Sequence, residues 1–483
     1  MIRPFYCSGP DWGSILTQVE ERVRRLNSEP VRAGAAYVLY WSQMNRRVAF
    51  NQALAYAVSQ ANELGLPLLV YEGLTCTYPH ANGRIHTFML ENVPGFATDV
   101  AGMGAGYCFY PRRRRSDPND VLYKLAKRAA MVVTDDYPTF IPARHNESVP
   151  GKIGVPYVAV DASCIVPMNR MEKREWAAYT IRPKIHRLLP DYLRPFPMPK
   201  LKHRWSGAVP EMHVEVTENG IAELVASCEI DHAVAPSTAF RGGYAAAKQR
   251  LRVFLDKKLR VYAEGRNEPS EHATSNLSPY IHFGHISTLE IALAAKEAAA
   301  KQKIGCDEFL EELIVRRELG FNFCRYSQFD SLDSLPDWAK KTMTKHAQDE
   351  REVKLTREQI EFGRTYDDIW NATQRELLLR GKMHGYYRMY WGKKLIEWCP
   401  TYEEAFELMI ELHEKYALDG RDPNTYTSVL WCFGLHDRPW AERPVFGQLR
   451  YMSYEGMKRK TDIRAYMQEI EYLERTGKDL VSL

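Results

Sequence analysis

Three of the chain's ten tryptophans, Trp370, Trp391 and Trp398, fall within the stretch from Arg364 to Trp398. Trp391 and Trp398 are seven apart, so on one helix they lie two turns apart on nearly the same face, about 10 Å along the axis. Trp370 belongs to a preceding helix, because Arg380-Gly381-Lys382 reads as a helix C-terminus with a glycine stop. Aromatics recurring on facing helices ordinarily build a core, and spacing alone asks for nothing more. A second group of residues is polar. Thr274, Ser275, Asn276, Leu277 and Ser278 put three hydroxyls and an amide into five residues just ahead of a helical pattern. Such side chains cap a helix or, together with its free N–H groups, hold an anion. His282 and His285 are three apart, with no third ligand near in sequence, so no metal site is expected. Glu311 to Glu318 is a charged helix whose simplest account is solvated ion pairs. From His436 to Arg464 there are seven Lys or Arg against four Asp or Glu. That excess is a surface or, with exposed aromatics, a seat for a duplex with an extruded base, Arg on phosphates and rings on bases.

Lys382-Met-His-Gly-Tyr-Tyr-Arg-Met-Tyr-Trp-Gly-Lys-Lys-Leu-Ile-Glu-Trp398, followed by Leu418-Asp-Gly-Arg-Asp-Pro-Asn424, closely resembles the class II cyclobutane pyrimidine dimer photolyases. These are flavoenzymes of the photolyase/cryptochrome family, and the resemblance runs over almost the whole chain. It implies a buried FAD and light-driven repair of UV-damaged DNA, with a cryptochrome-like photoreceptor as the alternative. On that resemblance Trp391, Trp370 and Trp398 relay electrons to the flavin, with Trp391 nearest it. Thr274, Ser275, Asn276, Leu277 and Ser278 bind the FAD diphosphate, and Tyr262 is a further flavin contact. Asp419 lies by the flavin ring and pairs with Arg388, while Gly420 and Arg421 complete the wall. Glu312 hydrogen-bonds the damaged pyrimidine pair, with Glu311 as the fallback. Arg316 stands where some relatives carry a tryptophan. Met389 and Trp431 come next to the pocket, Arg438 and Arg450 contact DNA around the lesion, and Arg266 approaches it from the other side. His413 stands where many class II members have an asparagine facing flavin N5. The other reading of His413 is a polar residue on an amphipathic helix. With an ordinary histidine pKa of about 6.5, its charge would change near neutral pH.

The elements that must position these residues fall into two kinds. Ala35–Trp41, Leu66–Tyr71, Gly106–Tyr110, Met131–Thr134 and Val155–Val160 read as buried strands, with helical patterns over 48–64 and 117–130 between them. This alternation predicts a parallel, doubly wound α/β sheet over residues 1–165. The glycine cluster Gly102 to Gly106 precedes a strand, so it is a plain loop and not a phosphate cradle. Arg112 to Arg115 reads as solvated surface. Pro190, Pro195, Pro197, Pro199 and Pro210 mark an extended connector over 166–215. From 216 to 483 the period is helical, which predicts an all-α domain bearing the FAD site. An antenna pigment of deazaflavin or folate type on the α/β domain stays open.

Net charge is only +4, so a nucleic-acid partner has to be argued from a local basic surface. The nine cysteines include no Cys-x-x-Cys pair, the pattern of reduced thiols. Met1–Gly9 has no apolar signal core, and no apolar run approaches the roughly 18 residues of a membrane span. A monomer in the cytoplasm, or in a eukaryote the nucleus, is the expectation.

Overall fold

The computed structural model describes residues 18–481; Met1–Gly9, read above as lacking a signal core, lie outside the described residues. Six strands, β1 (Val23–Arg25), β2 (Tyr37–Ser42), β3 (Leu68–Thr75), β4 (Gly106–Arg112), β5 (Ala129–Asp135) and β6 (Tyr157–Val160), form one sheet in the order β1-β6-β5-β2-β3-β4. Every neighbouring pair is parallel except the antiparallel edge pair β1–β6. All residues of β2, β5 and β6 are buried, as a parallel sheet covered on both faces requires. Edge strand β1 has three residues and no apolar alternation, so nothing in its sequence announced it.

Strand order reverses between β2 and β5. In an open α/β sheet that reversal leaves a crevice beyond the carboxyl ends of the strands. A mostly apolar cavity of about 120 Å³ lies there, lined by Trp41, Gln43, Tyr78, Phe140, His145 and Arg421 among others.

The connector departs from the extended reading. Ala178–Tyr192 is a helix containing Pro183 and Pro190. Its buried face is Ile181, Ile185, Leu188 and Tyr192, an i, i+4, i+7, i+11 stripe. Burying each such side chain contributes about 1.5–3 kcal/mol, which together offsets the cost of about 3 kcal/mol for each interior proline. The segment after it, 193–217, holds no regular element.

Beyond residue 217 every named element is a helix. Asp368–Arg380 ends on Gly381 at φ 75°, whose N–H bonds the Leu377 carbonyl, the left-handed stop its sequence predicted. The helices Gly385–Trp398, Tyr402–Tyr416 and Pro423–Cys432 pack with it around one apolar core that includes Trp370, Tyr387 and Trp391. Glu311–Arg316 is a π-helical turn between two α-helical stretches, a distortion frequent at functional sites. Among the described residues no helix is long and apolar enough to cross a membrane.

One side chain of the α/β part reaches into this helical core. Arg84 is 2% exposed. It donates to the carbonyls of Ala235, Leu377, Leu378 and Tyr416. Two of these acceptors lie in the last turn of Asp368–Arg380, and the last ends Tyr402–Tyr416. A buried cation at helix C-termini satisfies carbonyls that have no partner within their own helix.

Candidate active site

Trp370 lies between the two tryptophans of the neighbouring helix. Its ring stacks on Trp391 at 6.0 Å between centroids and 5° between planes. It meets Trp398 edge-on at 5.1 Å. The order in space is therefore Trp391, Trp370, Trp398. All three rings are at most 3% exposed, and their indole N–H groups all have partners. Trp370 donates to the Trp391 carbonyl at 3.0 Å, Trp391 to Gln374 Oε1 at 2.8 Å, and Trp398 to the Tyr366 hydroxyl at 2.9 Å. Gln374 is four residues on from Trp370, so it shares that helix face.

The inner end of the line is His413, whose ring meets Trp391 edge-on at 5.1 Å. Its Nδ1–H donates to the Met409 carbonyl at 2.7 Å, so Nε2 carries the lone pair. That nitrogen is buried and has no partner. Burial, and after it the Arg388 guanidinium, push the His413 pKa down to about 3. The expectation that its charge changes near neutral pH is therefore corrected: the ring is neutral across that range. The helix-surface reading also fails, because His413 is 1% exposed.

Arg388 Nη2 and Asp419 Oδ1 are 3.2 Å apart, the ion pair that the resemblance implied. Burial opposes ionisation of Asp419, but Arg388 and Lys382 hold its carboxyl well below the ordinary carboxylate range. Gly420 lets the chain pass close by, since a Cβ there would sit 2.0 Å from the His413 carbonyl oxygen. Lys382, which acts on Asp419, also lines a small cavity with Thr274, Asn276, His384, Arg380 and the two glutamates Arg380 pairs with, Glu376 and Glu469. Asn276 takes a left-handed φ of 54°, and Thr274 Oγ1 bonds its amide oxygen at 3.3 Å. Two buried polar atoms are left without partners here, Arg388 Nε and His413 Nε2, while the buried Ser278 hydroxyl lies against the Asp419 carboxylate and helps hold it ionised. Unsatisfied buried groups are rare and costly. The free Arg388 donor, the free His413 acceptor and the Lys382 ammonium are groups that suit a large ligand with a polar ring edge and an anionic tail, as FAD has.

The DNA photolyase family profile matches residues 38–200. The deoxyribodipyrimidine photo-lyase of Methanothermobacter thermautotrophicus is 40% identical over 455 residues, 94% of this chain and 98% of that protein. The chain belongs to the photolyase/cryptochrome family. A class III photolyase from Agrobacterium tumefaciens superposes with a TM-score of 0.66 at 18% identity, over 93% of this chain and 89% of that one. A cryptochrome from Synechocystis does so at 0.65 and 16%, over 90% and 89%. At those identities the likeness shows the fold.

The remaining family positions are distributed as follows. Glu312, 42% exposed at its side chain, pairs with Arg266 at 2.7 Å. Glu311, the fallback, is taken by Arg182 and Arg316, so Arg316 is turned along its own helix. The Arg266 guanidinium also lies 6.0 Å from the ring of Tyr262. Tyr262 packs edge-on against Phe254 and Phe309. Met389 is half-buried. Trp431 is half-buried between Lys393 at 5.2 Å and Arg450 at 5.4 Å. Arg450 pairs through two bonds with Asp437 and lies 4.2 Å from the Trp440 ring centroid, while exposed Arg438 stacks on Trp440 from 5.2 Å.

Two positions depart from the expected flavin wall. Arg421 turns away from Arg388 and Asp419: it stacks on Tyr78 and Phe140, bonds the Pro79 carbonyl, and lines the α/β cavity. Successive residues of a tight turn point to different sides, and the guanidinium went to the aromatic side. Leu277 is 1% exposed in the core, so only its backbone is left to meet a ligand. Lys382 and His384 line that cavity and were not singled out. Their signal was their place directly after the Gly381 stop, where a helix end meets the next helix start.

Proposed function

We propose that this chain repairs cyclobutane pyrimidine dimers in DNA with light, as a photolyase of class II. The observation that carries the reading is the line of three indoles ending at His413 with its free Nε2, beside the Arg388–Asp419 pair. FAD bound there, reduced and excited, supplies the electron that opens the dimer. The protein holds and orients the partners and sets the charges around them. Thr274, Asn276 and Ser278 hold the diphosphate end, with Lys382 and His384 as further contacts. With the cofactor bound, Arg388 would offer the flavin a positive charge that Asp419 fixes in place, and His413 Nε2 would be free to accept a hydrogen bond from it. Trp398, Trp370 and Trp391 pass electrons inward in that order.

Glu312 takes the flipped lesion, with Arg266 as the counter-ion it shares. Trp431 and Met389 pack against the extruded bases, and Arg438 and Arg450 meet the phosphates. The apolar cavity at the strand-order reversal, with its aromatic rings and Arg421, suits a second, antenna chromophore. Its identity as deazaflavin or folate is a matter for spectroscopy of the purified protein. The decisive experiment irradiates a dimer-containing oligonucleotide with the reduced protein under blue light. Loss of dimers supports repair. Bound FAD with dimers unchanged favours a cryptochrome-like photoreceptor instead.

A further inference from the structure

The tryptophan line does not end at Trp398. That indole is 3% exposed, and its N–H has the Tyr366 hydroxyl oxygen as partner at 2.9 Å. The Tyr366 ring lies 5.7 Å from the Trp398 ring, as close as the rings within the line. Unlike them it is 59% exposed. A second donor, Lys394 Nζ, reaches the same hydroxyl oxygen at 3.5 Å. Lys394 is held there by Glu397 at 3.0 Å and by Asp367 at 3.7 Å, and its ammonium also lies 5.3 Å from the Trp398 ring. Both of these groups donate to the phenol oxygen, so its own O–H is free to donate elsewhere on a side chain that is largely exposed.

We propose that Tyr366 is the outermost electron donor of the line and the residue that delivers its proton to solvent. The inference rests on the relay reading above. Once Trp391 has given an electron to the bound, photoexcited flavin, the vacancy passes to Trp370 and then to Trp398. An oxidised indole at Trp398 is a buried cation whose N–H faces only a phenol oxygen, a poor base, so its charge is not easily shed there. Tyr366 then gives one electron to Trp398. The phenol O–H bond breaks, its proton goes to water, and a neutral phenoxyl remains, with the Trp398 N–H and Lys394 donating to its oxygen. A soluble thiol restores the phenol by giving one hydrogen atom and becoming a thiyl radical. Loss of the proton to bulk water makes return of the electron slow, which is what an outward relay needs.

The test is flash photolysis of the FAD-loaded protein, with electron paramagnetic resonance to tell phenoxyl from indolyl signals. Tyr366→Phe removes one oxygen and keeps the ring. In wild type the phenoxyl signal grows as the indolyl signal decays, and the conversion slows in D₂O. In Tyr366→Phe the phenoxyl signal is absent and the indolyl signal lives at least about tenfold longer, equivalent to about 1.4 kcal/mol of barrier. Tyr390→Phe serves as a second variant, because Tyr390 also lies beside Lys394 but its hydroxyl bonds Asp367. A phenoxyl signal that persists in Tyr366→Phe, or vanishes only in Tyr390→Phe, overturns the proposal. So does a wild-type indolyl signal that decays with no phenoxyl following it. If Trp391→Phe leaves the indolyl signal intact, the relay reading itself fails, and the Tyr366 step with it.

Discussion

His413 is a buried base, and its environment sets a pH-dependent cost that can be read from folding alone. Burial and the Arg388 cation lower its pKa from 6.5 to about 3. Between those values the unfolded chain takes up a proton that the folded chain refuses. Stability is therefore complete above the unfolded pKa and is lost progressively as pH falls from there toward the folded pKa. At pH 5 the group is about 1.5 units below its unfolded pKa, so it costs roughly 2 kcal/mol relative to pH 7.5. Other buried histidines, His86, His145, His384 and His436, are shifted the same way, so acid sensitivity of the wild type alone is not diagnostic. The difference between wild type and His413→Asn isolates this one residue, since an amide does not titrate. Urea unfolding followed by tryptophan fluorescence, at pH 7.5 and pH 5, measures that difference. The variant is expected to gain roughly 2 kcal/mol on the wild type between the two conditions. A gap of the same size at both pH values would refute the reasoning, because His413 would then ionise as easily folded as unfolded.

Five further outcomes follow from the site. Trp391→Phe keeps an apolar ring but removes the oxidisable one nearest His413, so photoreduction of bound FAD should slow greatly while FAD content holds; unchanged photoreduction excludes the relay. Arg388→Met leaves Asp419 buried without its cation and should cost about 3–5 kcal/mol of stability, measured by denaturant unfolding; a loss under about 1 kcal/mol would place the pair in the class of exposed bridges. Trp431→Ala should weaken binding of damaged duplex by roughly 1–3 kcal/mol if the ring stacks on the lesion. Arg450→Ala should weaken damaged and undamaged duplex and flatten the salt dependence, with an added loss on damaged DNA because its guanidinium packs on Trp431; equal losses on both DNAs would show that the packing does not matter. Gly420→Ala should purify without FAD, because its Cβ meets the His413 backbone carbonyl; normal flavin content would show that the turn can open.

Much of the fold was legible because its signals are local. The buried runs of β2 to β6, the glycine stop at Gly381 and the amphipathic stripe of Tyr402–Tyr416 each follow from a few neighbouring residues. The site was legible only as a set of residues. Heptad spacing places Trp391 and Trp398 on one face, but whether a third ring enters between them depends on how two helices cross, and Trp370 does enter. The choice between Glu311 and Glu312 was likewise open in a charged helix. In the structure both are paired, Glu311 with Arg182, more than a hundred residues away in the connector helix, and Glu312 with Arg266, and neither partner could be read from the helix itself. The His413 pKa is a property of the surrounding field, and no sequence pattern carries it.

Arg84 shows where such reading stops and what lies beyond. It stands in no motif, and its acceptors are 151, 293, 294 and 332 residues away. Yet it joins the end of the helix that carries Trp370 to the end of the helix that carries His413, and it is anchored in the helix that also places Ile85 and Met89 on the α/β cavity. A guanidinium with four carbonyl acceptors and almost no exposure has little freedom to move without leaving donors unpaired. The α/β part therefore does more than carry a cavity of its own. Through this one side chain it helps set the separation of the helices that carry Trp370 and His413, between whose rings Trp391 packs at 6.0 Å and 5.1 Å.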